Sequence, residues 1–205
     1  MTINYELFAR LMNRSGELAR QAGIPSMVRR VYNERLKERA EGFLSADAAL
    51  TRAMGADRKE SSEAKRFLGV LDRPYTLARA TALAYKPHLV LPETLKAAPT
   101  DTDKMNAIET LLDVVEAAAS QGWAQDLLSG PFGTVGPSTV KEIDEAIRAD
   151  ASLSAARQAR AQAYGPAYDE YLSFKRVVRM ACGPRSREYH RIHLRSVQPG
   201  EPQED

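Results

Sequence analysis

Between residues 64 and 85 the apolar side chains recur in steps of four and three: Ala64, Leu68, Leu71, Tyr75, Ala78, Ala82 and Tyr85. That rhythm follows the 3.6-residue turn of an α-helix, so these residues form one stripe that other helices must cover. The spacing returns as Tyr164, Ala167, Tyr171, Phe174, Val178 and Ala181. Alanine and arginine are abundant and β-branched residues sparse, which adds intrinsic helix propensity to the pattern. At 205 residues the chain is long enough for a proper core, in one domain or two small ones. An all-α fold is expected.

The elements can be read in order. Asn4 is a good N-cap for a first helix to about Ala22, with Leu7, Phe8, Leu11 and Leu18 on one face. Gly23 and Ile24-Pro25 end it. A second helix opens at Ser26 and carries Leu36, Phe43 and Leu50, seven apart, to about Met54. Gly55-Ala56-Asp57 predicts a tight turn, which makes residues 26–86 an antiparallel hairpin. Pro74 predicts a kink rather than a stop, because the apolar stripe continues in phase beyond it, and Pro87 ends the helix.

Residues 87–101 are rich in proline and read as a crossover, with a short helix from Pro92. The second helical half, 102–183, starts with a helix bearing Met105, Ile108, Leu111, Leu112 and Val115, followed by an apolar cluster of Trp123, Leu127 and Leu128. Gly130 to Pro137 reads as irregular, residues 138–149 as a short helix, and the stretch from Asp150 or Ser152 to Cys182 as a long one with Pro166 inside. The expectation is an antiparallel bundle of four principal long helices in two hairpins. An N-terminal docking helix (1–23) and the short helix before the fourth complete a single domain, 1–195. A basic extension (184–195) and a disordered acidic tail (196–205) follow.

Composition narrows the function classes. No apolar run reaches the roughly 18 to 20 residues that span a bilayer, and the N-terminus lacks the basic-then-apolar order of a secretory signal. With one cysteine, Cys182, an internal disulfide is excluded, and a cytoplasmic location is expected. The net charge of +2 conceals segregation. Residues 87–150 hold 4 Lys/Arg against 11 Asp/Glu, whereas residues 151–195 hold 9 against 3. Such a layout suits an anionic partner for the basic part, or pairing with the acidic middle of a neighbouring copy.

Templates for chemistry fail one after another. Di-iron bundles need inward Glu residues and Glu-x-x-His pairs, and the sequence has no Glu-x-x-His. His190 and His193 lie beside Glu188, but Arg185, Arg187, Arg191 and Arg195 surround them and oppose a divalent cation. The glycines at 130–136 match neither a dinucleotide nor a phosphate loop. Neighbouring arginines would lower the pKa of Cys182 were it exposed. No catalytic residue, metal site or cofactor is expected.

Two candidate regions stand out. The basic stretch Lys175, Arg176, Arg179, Arg185, Arg187, Arg191 and Arg195 suits contacts with phosphate or carboxylate. The tyrosines beside the two internal prolines, Tyr75, Tyr164, Tyr168 and Tyr171, together with Arg73 and Arg79, suit a pocket for a small anion or aromatic ligand. In a packed interior the same hydroxyls would bond the carbonyls that Pro74 and Pro166 release. The reading that follows is a non-enzymatic helical interaction or assembly protein, an adaptor or self-assembling subunit with a protein partner. The alternatives are nucleic-acid or anionic-surface binding through 175–195, and a ligand-binding or enzymatic bundle at the kinks.

Overall fold

A computed structural model describes residues 4–193; Arg195 and the tail at 196–205 lie outside the described residues. Among the described residues every regular element is helical: α1 (Tyr5–Arg20), α2 (Ser26–Val31), α3 (Lys37–Tyr85), α4 (Asp101–Ala117), α5 (Gly122–Ser129), α6 (Pro131–Cys182) and α7 (Arg187–Ile192). Among the described residues no helix is long and apolar enough to cross a membrane. Where four principal helices are expected, two long ones, α3 and α6, of 49 and 52 residues, carry about half of the chain.

The first boundary follows the sequence. Asn4 Oδ1 accepts the Leu7 N–H at 2.9 Å, and Gly23 takes φ +81° after α1. Between α2 and α3 a π-helical turn, Tyr32–Leu36, bridges the two without a break. Its cause lies in the core positions: Val28, Tyr32, Leu36 and Ala40 are all buried and lie four apart. An α-helix turns every 3.6 residues, so three such steps drift about one residue off the face, and the wider i→i+5 turn absorbs that residue.

The turn expected at Gly55-Ala56-Asp57 is absent; α3 runs through it. A glycine inside a helix costs about 1 kcal/mol, far less than a proline, and among the described residues only Gly23 and Gly183 adopt the positive φ of a helix stop. Both internal prolines, Pro74 and Pro166, also lie within unbroken helix. The crossover holds a 3-10 turn at Leu95–Ala97, and a Thr100–Asp103 capping box opens α4.

The apolar cluster Trp123, Leu127 and Leu128 lies on α5, each residue partly buried. Two further expectations change. Gly130–Pro137 is not irregular: Pro131 starts α6, where its missing N–H costs nothing, and the helix continues through Ala149 and Asp150 to Cys182. Close packing explains the glycines. A Cβ at Gly133 would stand 2.6 Å from the carbonyl carbon and Cα of Leu128, and one at Gly136 would touch both Leu112 methyls at 3.5 Å. Lastly, the basic extension forms α7, capped by Ser186 Oγ.

The contacts divide the chain into two compact units, residues 1–50 with 156–205 and residues 51–155. The first buries Phe8, Leu36, Phe43, Phe174, Val178 and Ile192, with Tyr5, Phe8, Phe43 and Tyr164 edge to face or stacked. In it Arg35 pairs with Glu170 at 3.0 Å and Arg160 with Asp47 at 3.2 Å, so numbering rises on one helix as it falls on the other. The second unit buries Leu71, Tyr75, Ile108, Leu111, Phe132 and Ile143.

Candidate functional site

A group of exposed positive charges lies in the first unit, on the last turns of α6 and around α7. Its described residues carry sixteen Lys/Arg against nine Asp/Glu, net +7. Helix packing sets which of these face water. Phe174 and Val178 turn inward, which leaves Arg176 and Arg179 outward, with Met180 78% exposed beside them. Arg185 and Arg187 follow on the segment that Gly183, at φ +97°, turns away from α6. Among the described residues no carboxylate lies within salt-bridge distance of these four guanidinium groups.

Two members of the basic set have other roles. Arg191 bonds Glu17 Oε2 at 3.2 Å and Gln21 Oε1 at 3.1 Å, so it fastens α7 to α1 instead of facing a partner. Lys175 is half-buried, and burial holds its pKa below the usual lysine value. Cys182 is partly buried, so the exposure under which neighbouring arginines would lower its pKa is not met; burial, with Glu188 adding to it, raises the thiol pKa.

A complementary surface occupies the second unit, whose residues carry twelve Lys/Arg against fifteen Asp/Glu, net −3. Helix α4 buries Ala107, Ile108, Leu111, Leu112 and Val115, and the opposite face shows Glu109, Asp113 and Glu116 at i, i+4 and i+7. None has a basic partner among the described residues. This row is legible in the sequence only as a negative segment; its alignment on one free face needs the packing.

The tyrosines and arginines of the expected kink pocket are divided between the two units. Tyr75 belongs to the second unit, and Tyr164, Tyr168 and Tyr171 to the first. Tyr75 is fully buried, its hydroxyl donating to Pro92 O at 3.1 Å, while Arg79 Nε donates to Leu91 O at 3.2 Å. Tyr171 donates to Ile192 O. The acceptors are therefore loop and helix-end carbonyls distant in sequence, not those freed by the prolines. Burial raises the pKa of Tyr75, Tyr164 and Tyr171, keeping each phenol neutral. Tyr164 and Tyr168 stack at 5.5 Å as part of the aromatic core and its edge.

Arg73 alone of that set lines a groove, of about 390 Å³, beside Pro74. Pro74 and Leu77 form one wall, Asp126 and Leu127 of α5 another, and Gly130, Pro131 and Phe132 close the corner. Leu77 is 66% exposed there. Glu60, Glu63 and Glu142 also gather within 4.8 Å of one another, with Lys59 bonded to Glu60 at 3.0 Å and Glu63 at 3.5 Å. No sequence spacing announces that cluster, because Glu142 arrives from a different helix. Comparison with known proteins returns no matching family model and no significant match among curated proteins or solved structures.

Proposed function

We propose that this protein is a helical interaction protein, with no catalytic role, that self-assembles through unlike charged surfaces. The observation that carries the reading is unneutralised charge of opposite sign on the two units. Arg176, Arg179, Arg185 and Arg187 stand exposed on one, and Glu109, Asp113 and Glu116 on the other, none paired within the described chain. Exposed like charges repel, so each row is stabilised by a complementary surface from outside. A second copy supplies both complements at once, which favours assembly over an adaptor role. An all-helical fold suits such a subunit, since helix faces present charge at fixed intervals.

Light scattering across protein concentration, at about 0.01 M and about 1 M salt, tests this, because the screening length falls from ~30 to ~3 Å. We expect an oligomer at low salt that dissociates at high salt. The triple variant Glu109→Lys, Asp113→Lys, Glu116→Lys becomes monomeric, as does Arg176→Glu, Arg179→Glu, Arg185→Glu, Arg187→Glu; mixing the two restores association. A strict monomer at low salt overturns the assembly reading. The same free arginines favour a second reading, binding of nucleic acid or another phosphate-bearing surface. That reading requires affinity that falls steeply with salt and disappears in Arg185→Glu, Arg187→Glu.

A further inference from the structure

A second groove in the 51–155 unit, of about 410 Å³, combines three lysines with an apolar floor. Lys65 and Asp72 lie seven residues apart on α3, Lys96 comes from the 3-10 turn, and Lys104 from the first turns of α4. Leu68, Leu95, Ala98 and Pro99 form the floor. Its volume falls within the range of small-molecule sites, roughly 300 to 1,000 Å³.

The charges do not cancel. Lys96 Nζ lies 3.4 Å from Asp72 Oδ2, and Lys104 Nζ lies 2.6 Å from Asp101 Oδ1, outside the lining. Lys65 is exposed and has no carboxylate within salt-bridge distance among the described residues. With these partners counted, three ammonium groups face two carboxylates, and Lys65 is the one of the three lysines whose charge is not compensated. The other oxygen of the lining carboxylate, Asp72 Oδ1, is buried without a hydrogen-bond partner. A buried acceptor left unpaired costs about 1 to 3 kcal/mol, which a ligand hydroxyl or N–H reaching past the exposed Lys96 would offset.

We propose that this groove binds a small organic anion carrying a phosphate or several carboxylates on an apolar body. The lysines take the anionic group as mobile point charges, the floor covers the apolar part, and Asp72 selects for a hydrogen-bond donor. Gly69, on the α3 wall, offers a way to close the groove: a Cβ there meets no atom within 4 Å, and its φ is not positive.

The test is calorimetric titration of the full chain with naphthyl phosphate, with inorganic phosphate and naphthol as the two partial probes, followed by amide NMR shifts. We expect naphthyl phosphate to bind more tightly than either partial probe and to shift amides around residues 65–72 and 95–104. Lys65→Ala and Lys96→Ala should each weaken it about tenfold, the scale of one lost charge-assisted contact. Gly69→Leu should block it while unfolding no earlier than the parent. Binding untouched by all three variants, or naphthol binding as tightly as its phosphate, overturns the proposal. Shifts confined to residues 176–187 overturn it too, by placing the anion on the arginines instead.

Discussion

Gly133→Ala sets helix propensity against packing. Alanine is better than glycine inside a helix by about 1 kcal/mol, so propensity alone makes the variant more stable. The packing says otherwise. An added Cβ lies 2.6 Å from the carbonyl carbon and Cα of Leu128, closer still to its carbonyl oxygen, and all three are backbone atoms. No side-chain rotation relieves the overlap; α5 and the start of α6 must separate. Overpacking of a tight contact costs typically 1 to 3 kcal/mol, and a backbone neighbour places this case at the upper end, about 3 kcal/mol. Subtracting the propensity gain leaves a net loss of about 2 kcal/mol, or a Tm lower by roughly 4 to 8 °C for a chain of this size. Gly55→Ala is the control. It lies within α3, lacks positive φ and meets nothing within 4 Å, so it should gain about 1 kcal/mol. Thermal and urea unfolding, followed by circular dichroism on the same preparations, measure both. A Gly133→Ala protein as stable as the parent, or a destabilised Gly55→Ala, refutes the reasoning.

Three other outcomes follow. Burial raises the pKa of Tyr32, Tyr75, Tyr164 and Tyr171 above the ordinary 10.0, so above pH 10 the unfolded chain releases phenolic protons that the native one retains. Stability is then whole below pH 10 and declines above it, by up to about 1.4 kcal/mol per pH unit for each such tyrosine; tyrosinate absorbance should rise together with loss of helix, and early titration in a folded protein would contradict this. Tyr171→Phe removes the donor to Ile192 O and should cost about 1 to 2 kcal/mol, with hydrogen exchange accelerated first in α7. Arg160→Ala breaks the pair with Asp47 and withdraws a guanidinium lying 4.1 Å from the centre of the Tyr5 ring; a loss of about 1 to 2 kcal/mol in urea unfolding is expected, and Arg160→Lys should recover only part of it.

The helical class, the inward faces and several helix ends are legible in the order of residues. Leu71, Tyr75, Ala78, Ala82, Tyr171, Phe174 and Val178 are buried as their spacing requires, and Asn4 and Gly23 mark the two ends of α1. These are local properties: a 3.6-residue repeat and a cap act within one or two turns, so neighbouring residues suffice to reveal them.

Where helices continue, and which polar groups meet, is set by packing between segments distant in the chain. Gly55, Gly133 and Pro137 read as breaks, yet each lies inside a helix, because burial of Leu71, Phe132 and Ile143 against partners far along the chain outweighs a local penalty of one to three kcal/mol. The same holds for function. Arg191 looked like its neighbours until Glu17 was found opposite it, and Lys65, Lys96 and Lys104 share no sequence pattern that would unite them. Charge acts through space, and proximity in space is what the linear order of residues does not contain.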